Sequence, residues 1–336
     1  MRQLQFIEKG RLEWREAADP KLEGDRDALV RPVALATCDI DVAFVRGRFP
    51  AESFPFGHEC IGEVTDVGDG VEAVEPGDLV SVPFQISCGE CDACRAGRTG
   101  NCESVPRLST YGLPIGDDFG GFASDSVRVP YADAMLVPIP EGISPSAVAS
   151  LSDNIPDAWR CVAPPLEERS GSPVLIALGA GSIALYSVAI AVALGAERVD
   201  VVGGRDRDRE LAAKLGANVL DEDFPDRAGF YPITVDASAD PDGIACVLRS
   251  TDRDGYSTSI GIYFEPTPLP LLDMFTQGVT FVTGRPHVRP IMPEVLELIR
   301  EGRFDPEPMT AQKVAWNDAA EALSELRAKT VVERAG

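Results

Sequence analysis

Four cysteines fall within fifteen residues, as Cys88-x2-Cys91-x2-Cys94-x7-Cys102, in a stretch that also carries Gly89, Gly97 and Gly100. Thiolates at that spacing, on a chain free to turn tightly, can wrap one ion tetrahedrally. Sulfur donors favour zinc, and a closed four-thiolate shell leaves no position for substrate, so a structural zinc is expected. Disulfides from the same residues would suit a small secreted chain instead. The cysteines Cys60, Cys161 and Cys246 lie in apolar surroundings and read as core. The chain has only two histidines, His58 and His287, so any imidazole chemistry must use one of them.

A second motif is Gly179-Ala180-Gly181-Ser182-Ile183-Ala184, which follows an apolar run and opens a helical pattern. In that context G-x-G-x-x-A is a dinucleotide turn: Gly179 allows the tight turn, Gly181 lets the backbone approach a pyrophosphate, and the small Ala184 lets helix and strand pack. The amides of Ser182 and Ile183 at the helix start would hold the phosphates. The following strand ends Val202-Gly203-Gly204-Arg205, with no carboxylate where NAD sites bind the ribose hydroxyls. A guanidinium at Arg205 can fork onto a 2′-phosphate, so NADP(H) is expected, with Gly203, Gly204 and Arg205 beside it. Arg205 could instead pair on the surface with Asp206 or Asp208. Arg285, in the Gly284-Arg285-Pro286 loop, is counted with the cofactor residues.

The elements that position these groups divide the chain in two. Up to about residue 150, short β-patterned runs alternate with Gly and Pro, as at 28–33, 61–64 and 78–82, and imply a β-rich, barrel-like half. From 173 the pattern becomes strand and helix in turn. Strands are expected at 173–178, 198–202, 217–220, 233–236, 256–263 and 279–283, and helices at 182–194 and 206–215, the order of a doubly wound parallel sheet. Further helices are expected at 293–301, opened by Pro293, and at 318–328.

The chain has 336 residues, 54 carboxylates and 31 Lys or Arg, for a net charge of −23. Such a chain repels phosphate backbones, which argues against nucleic-acid binding. The longest apolar stretch, 183–194, is too short for a membrane span, and residues 1–4 show no signal-peptide core, so a cytoplasmic enzyme is expected. Only five of the basic residues are lysines (Lys9, Lys21, Lys214, Lys313 and Lys329), and with the acid excess this suggests tolerance of concentrated salt.

Gly57-His58-Glu59-x2-Gly62-x5-Gly68-x2-Val71, with Cys38 twenty residues before His58 and the four-cysteine loop after it, resembles the zinc-dependent alcohol dehydrogenases of the medium-chain dehydrogenase/reductase superfamily. The resemblance implies an α/β protein: a GroES-like β-rich catalytic domain (1–155 and 302–336) plus a doubly wound Rossmann NADP-binding domain (156–301), with the active site in the cleft between them. It further implies a catalytic zinc held by Cys38, His58 and Asp153, with Glu59 beside the metal or entering as an alternate ligand. Asp41 would be hydrogen-bonded to the ligand histidine. The implied cofactors are two zinc ions and NADP(H), and the implied reaction is hydride transfer between a small alcohol, expected to be secondary, and its ketone or aldehyde. A homodimer or homotetramer is expected, joined near the strand at 279–283. Where the family has a Ser or Thr that relays the alcohol proton, this chain has Ile40. Either another group serves, with Ser152 and zinc-bound water as the candidates, or alcohol oxidation is weakened; His287 is placed in the Rossmann half and too far away. Alternatives are a polyol or sugar dehydrogenase, an NADPH-dependent carbon–carbon double-bond reductase, and a non-catalytic nucleotide binder.

Overall fold

The computed structural model describes residues 1–334 apart from Ala180 and Glu222. Ala180 of the glycine motif and the last two residues of the chain therefore lie outside the described residues.

Residues Asp157–Pro286 form one unit, built on six parallel strands. Their spatial order is Asn218–Asp221, Val199–Gly203, Val174–Leu178, Tyr231–Asp236, Thr251–Ser259 and Thr280–Thr283. The first strand in sequence, Val174–Leu178, is central and buried along its whole length. A parallel strand covered on both faces must be apolar throughout, and this one reads Val-Leu-Ile-Ala-Leu. The order reverses between that strand and Tyr231–Asp236, and such a switch point is where dinucleotides bind. The helix Ser182–Ala193 packs with Ala184, Ser187 and Ala191 buried, small side chains that let it lie close to the sheet.

Met1–Pro156 and His287–Gly336 form the other unit. A seven-stranded sheet and a three-stranded sheet enclose an apolar core. Phe54 lies at the centre of an aromatic group, with ring centroids 5.1 Å from Phe6 and 5.2 Å from Phe44. Near the end of the chain, the strand Thr330–Glu333 returns to pair antiparallel with Ala28–Ala36, Val331 opposite Ala36. The strand Glu59–Val67 pairs on the other side, with Glu59 opposite the same Ala36.

Several expectations need correction. The return to the first unit comes at 287, not 302, because the helix at its head begins at Val288 and buries Val288, Met292, Val295, Leu296 and Leu298. Pro293 lies inside that helix and does not open it; as the sixth residue it forgoes one backbone hydrogen bond, to the Arg289 carbonyl, a cost that the buried apolar face offsets. The strand expected at 256–263 runs Thr251–Ser259, and the helix expected at 318–328 is the shorter Ala319–Ser324. Helices Asn154–Glu168, Pro241–Ser250 and Leu271–Gln277 were not anticipated. No helix among the described residues is long and apolar enough to cross a membrane.

Candidate active site

The register around Ala36 determines what can meet at the end of the first unit's sheet. Two residues past the strand Ala28–Ala36, Cys38 caps the helix Asp39–Val45, and the Asp41 carboxylate of that helix accepts a hydrogen bond from the Cys38 amide at 2.8 Å. His58 directly precedes the strand Glu59–Val67. Asp153 ends the single 3-10 turn Ala149–Ser152 and leads into the helix Asn154–Glu168. That turn is fastened to the strand by Ser152, whose hydroxyl donates to the Cys60 carbonyl at 2.9 Å and accepts from the Cys60 amide at 2.8 Å. Cys38, His58, Glu59 and Asp153, all buried, each bring one donor atom to within 4.8 Å of the others.

The donor set fits a divalent metal. Both His58 ring nitrogens are buried and make no hydrogen bond among the described residues; the nearest carboxylate oxygens, of Asp41 and Asp153, stand 3.5 Å away on opposite sides. Burial alone would lower the His58 pKa, but Asp41, Asp153 and Glu59 outweigh it and raise it to about 9. Burial first, and the neighbouring carboxylates after it, push the Cys38 thiol well above its ordinary value. Burial raises Asp41 to about 6 against the pull of His58. Negative groups thus converge on a place that calls for a cation, and a thiolate, an imidazole and a carboxylate are all zinc donors.

Two residues that the sequence analysis did not single out complete this cluster. Lys329 donates to Glu59 Oε2 at 2.8 Å, with side-chain exposures of 2% and 0%. Asn154 Nδ2 donates to Glu59 Oε1 at 2.5 Å. The only sequence signal for Lys329 was the rarity of lysine in the chain.

The four cysteines of the loop also converge, their sulfurs within 4.8 Å of one another. Amides of Glu90 and Cys91 point at Cys88 Sγ, and those of Cys94 and Glu103 at Cys91 Sγ, each at 3.4 Å; the Ser104 hydroxyl reaches Cys88 Sγ at 3.2 Å. Burial pushes the Cys88 thiol up, but these donors bring it down to about 6, and Cys91 is lowered likewise by the amides of Glu103 and Cys94. Amide donors aimed at sulfur stabilise the Cys88 and Cys91 thiolates, while burial pushes the Cys94 and Cys102 thiols up.

In the other unit, Gly179 tolerates no side chain: a Cβ there would stand 2.2 Å from the Ala237 carbonyl of the neighbouring loop. Gly181 caps the helix Ser182–Ala193, and Ala184 is buried. Gly203, at φ +70°, lies in the left-handed region that favours glycine, and Gly204 follows it at φ +82°. Arg205, half-exposed, caps the helix Asp206–Lys214, and its Nε bonds Asp208 at 2.6 Å. The surface pairing weighed for Arg205 is therefore present. Arg209 Nη1 donates to the Gly204 carbonyl, so a second guanidinium lies against the same turn. Arg285 is half-buried next to Gly284.

The proton-relay expectations change. The Ser152 hydroxyl is spent on the Cys60 peptide and is fully buried, so it ties the chain together and is not a relay. His287 belongs to the first unit, not to the Rossmann half; its Nδ1 accepts from the Gly100 amide at 3.1 Å, fastening the cysteine loop. Ile40 packs half-buried against the first unit's core.

The alcohol dehydrogenase GroES-like domain family matches residues 24–141. The L-threonine 3-dehydrogenase of Pyrococcus abyssi is 31% identical over 323 residues, spanning 90% of this chain and 88% of that protein. Zinc-type alcohol dehydrogenase B of Aspergillus flavus is 26% identical, spanning 100% of this chain and 82% of that protein. Among solved structures, alcohol dehydrogenase TADH from Thermus sp. ATN1 superposes with a TM-score of 0.87 at 25% identity, covering 100% of each chain.

Proposed function

Because the chain belongs to the zinc-binding medium-chain dehydrogenase/reductase superfamily and is an NAD(P)-dependent zinc oxidoreductase of alcohols or carbonyl compounds, we propose that it interconverts secondary alcohols with ketones, and reduces aldehydes, using NADP(H). The observation that carries this reading is the buried convergence of Cys38, His58 and Asp153 around an imidazole whose two nitrogens have no hydrogen-bond partner among the described residues. These three residues would hold the catalytic zinc, and Cys88, Cys91, Cys94 and Cys102 a structural one.

Zinc held there would supply Lewis-acid polarisation of a substrate oxygen, and NADP(H) would supply the hydride chemistry. The chain's own residues set the conditions for both. Asp41 holds the Cys38 amide and faces His58 Nδ1, which orients the ring with Nε2 toward Asp153. The amides opening the helix Ser182–Ala193 would bind a pyrophosphate beside Gly179 and Gly181. At the end of the next strand, Gly203 and Gly204 bring no carboxylate toward the ribose, and Arg205 would offer the 2′-phosphate a charged donor. Ile40 carries no hydroxyl, so proton release on alcohol oxidation would go through solvent.

A homo-oligomer is the expected assembly. Leu271, Leu272 and Phe275 stand exposed on the helix Leu271–Gln277, next to the edge strand Thr280–Thr283. An edge of this kind is a liability unless a second copy covers it.

The test is a steady-state panel of secondary alcohols, ketones and aldehydes with both coenzymes, on protein of measured zinc content. Turnover of a ketone or secondary alcohol, faster with NADP(H), is expected. A zinc-replete enzyme inert to the whole panel would overturn the substrate reading, and equal use of NAD(H) would overturn the coenzyme reading.

A further inference from the structure

Glu59 has a carboxylate oxygen close enough to the other donors to complete a four-ligand shell, yet both of its oxygens are already engaged. On the metal-site reading given above, we propose that Lys329, with Asn154, is a positioning residue that holds Glu59 out of the metal's coordination shell and so keeps one position open for substrate.

The argument begins with charge. The Cys38 thiolate and the Asp153 carboxylate match the two charges of a zinc ion, and His58 adds a neutral donor. A third anion in the shell would leave it net negative and closed. Glu59 is nevertheless buried completely, beside that shell, and a buried carboxylate must find a cation or hydrogen-bond donors. Lys329 provides the cation at 2.8 Å and Asn154 the second donor at 2.5 Å. With both in place, Glu59 gains little by turning to the metal. With Lys329 gone, the metal is the cation left within its reach.

The second strand of the argument is that the backbone builds this pairing. Thr330 exchanges hydrogen bonds with Thr37: the Thr37 amide donates to the Thr330 carbonyl and the Thr330 amide to Thr37 Oγ1, each at 3.0 Å. Lys329 is thereby anchored one residue before the strand Thr330–Glu333, whose partner Ala28–Ala36 ends two residues before Cys38, and Glu59 pairs with Ala36 from that strand's other side. In a chain where five of 31 basic residues are lysines, one of the five occupies this buried position. A lysine puts a compact point charge on one oxygen and leaves the other to Asn154, where a guanidinium fork would take both.

The experiment uses the holoenzyme with cobalt(II) in place of zinc, read by its visible d–d spectrum during titration with azide. Wild-type protein should take up two cobalt ions per chain and show a band that azide shifts. Lys329→Met should change the band before azide is added, and weaken the azide response at least tenfold as Glu59 closes the shell. The double variant Lys329→Met with Glu59→Gln should restore the response. Asn154→Ala, which keeps the ion pair, should weaken it by a smaller factor and keeps the test open if Lys329→Met does not fold. Spectra and azide affinity unchanged in a folded, two-cobalt Lys329→Met protein, or in Asn154→Ala if that is the only variant to fold, would overturn the proposal and leave the metal site standing. A wild-type protein that binds one cobalt, in the four-cysteine loop alone, would overturn the metal-site reading and the proposal together.

Discussion

Replacing Arg205 with alanine should convert a coenzyme preference into near indifference. A charge-assisted hydrogen bond to a phosphate contributes about 1.5–3 kcal/mol, which corresponds to roughly 10–150-fold in affinity at about 1.4 kcal/mol per factor of ten. The structure points to the lower end. The Arg205 side chain is 48% exposed, so solvent screens it, and its Nε is shared with Asp208 at 2.6 Å. Discounted for both, the expected loss is about 10–30-fold in NADPH affinity, with NADH changed less than about twofold. The variant also removes a partner from the Asp208 carboxylate, whose side chain is only 3% exposed; Arg207, with Nε 3.9 Å from the other oxygen, is placed to take over. The stability cost should therefore stay near about 1 kcal/mol. Titration by reduced-nicotinamide fluorescence, with NADPH and NADH in parallel on wild type and variant, measures the ratio directly. Equal weakening of both coenzymes would show that Arg205 acts by shaping the helix start. An unchanged ratio would show that another group reads the phosphate, and the Arg209 guanidinium against Gly204 would be the next to test.

Cys88→Ser should lower zinc from two ions per chain to one and reduce the melting temperature, since Cys88 Sγ accepts three of the hydrogen bonds that organise the loop; elemental analysis that still finds two zinc ions would contradict the four-thiolate shell. Ile40→Ser should speed alcohol oxidation near neutral pH more than carbonyl reduction, and wild-type oxidation should rise between about pH 7 and 10 as hydroxide stands in for the missing relay. Fast wild-type oxidation at pH 7, unchanged in Ile40→Ser, would show that a different group already carries the proton. The net charge of −23 predicts that stability rises with salt, because the Debye length falls from ~30 Å at 0.01 M to ~3 Å at 1 M and screens the carboxylates from one another. A melting temperature flat from 0.05 to 2 M KCl would remove that idea. Phe275→Glu, at a residue 84% exposed, should shift the protein toward monomer in light scattering; a wild type that is already monomeric over a broad salt range would refute the expected assembly.

What could be read from the sequence was chemistry whose parts are neighbours along the chain. The four-cysteine loop, the Gly179 to Ala184 turn and the Gly203-Gly204-Arg205 strand end each depend on spacing within one short segment, where local geometry decides which groups meet. The parallel strands were legible for a similar reason: burial on both faces demands an apolar run, and the run is visible without the partners. Groups that meet through the sheet left no such signal. Lys329 and Glu59 are 270 residues apart, and they touch because Thr330–Glu333 and Glu59–Val67 flank the same strand. Ser152 looked like a spare hydroxyl until its position beside the Cys60 peptide, 92 residues away, gave it two partners. His287 looked like part of the second unit because the helix opened by Pro293 was placed at the end of that unit, whereas the apolar face of Val288–Arg300 packs with the first. Residue type limits what a side chain can do, but burial and the choice of partner decide what it does, and both are properties of strand register and packing that only the folded chain possesses.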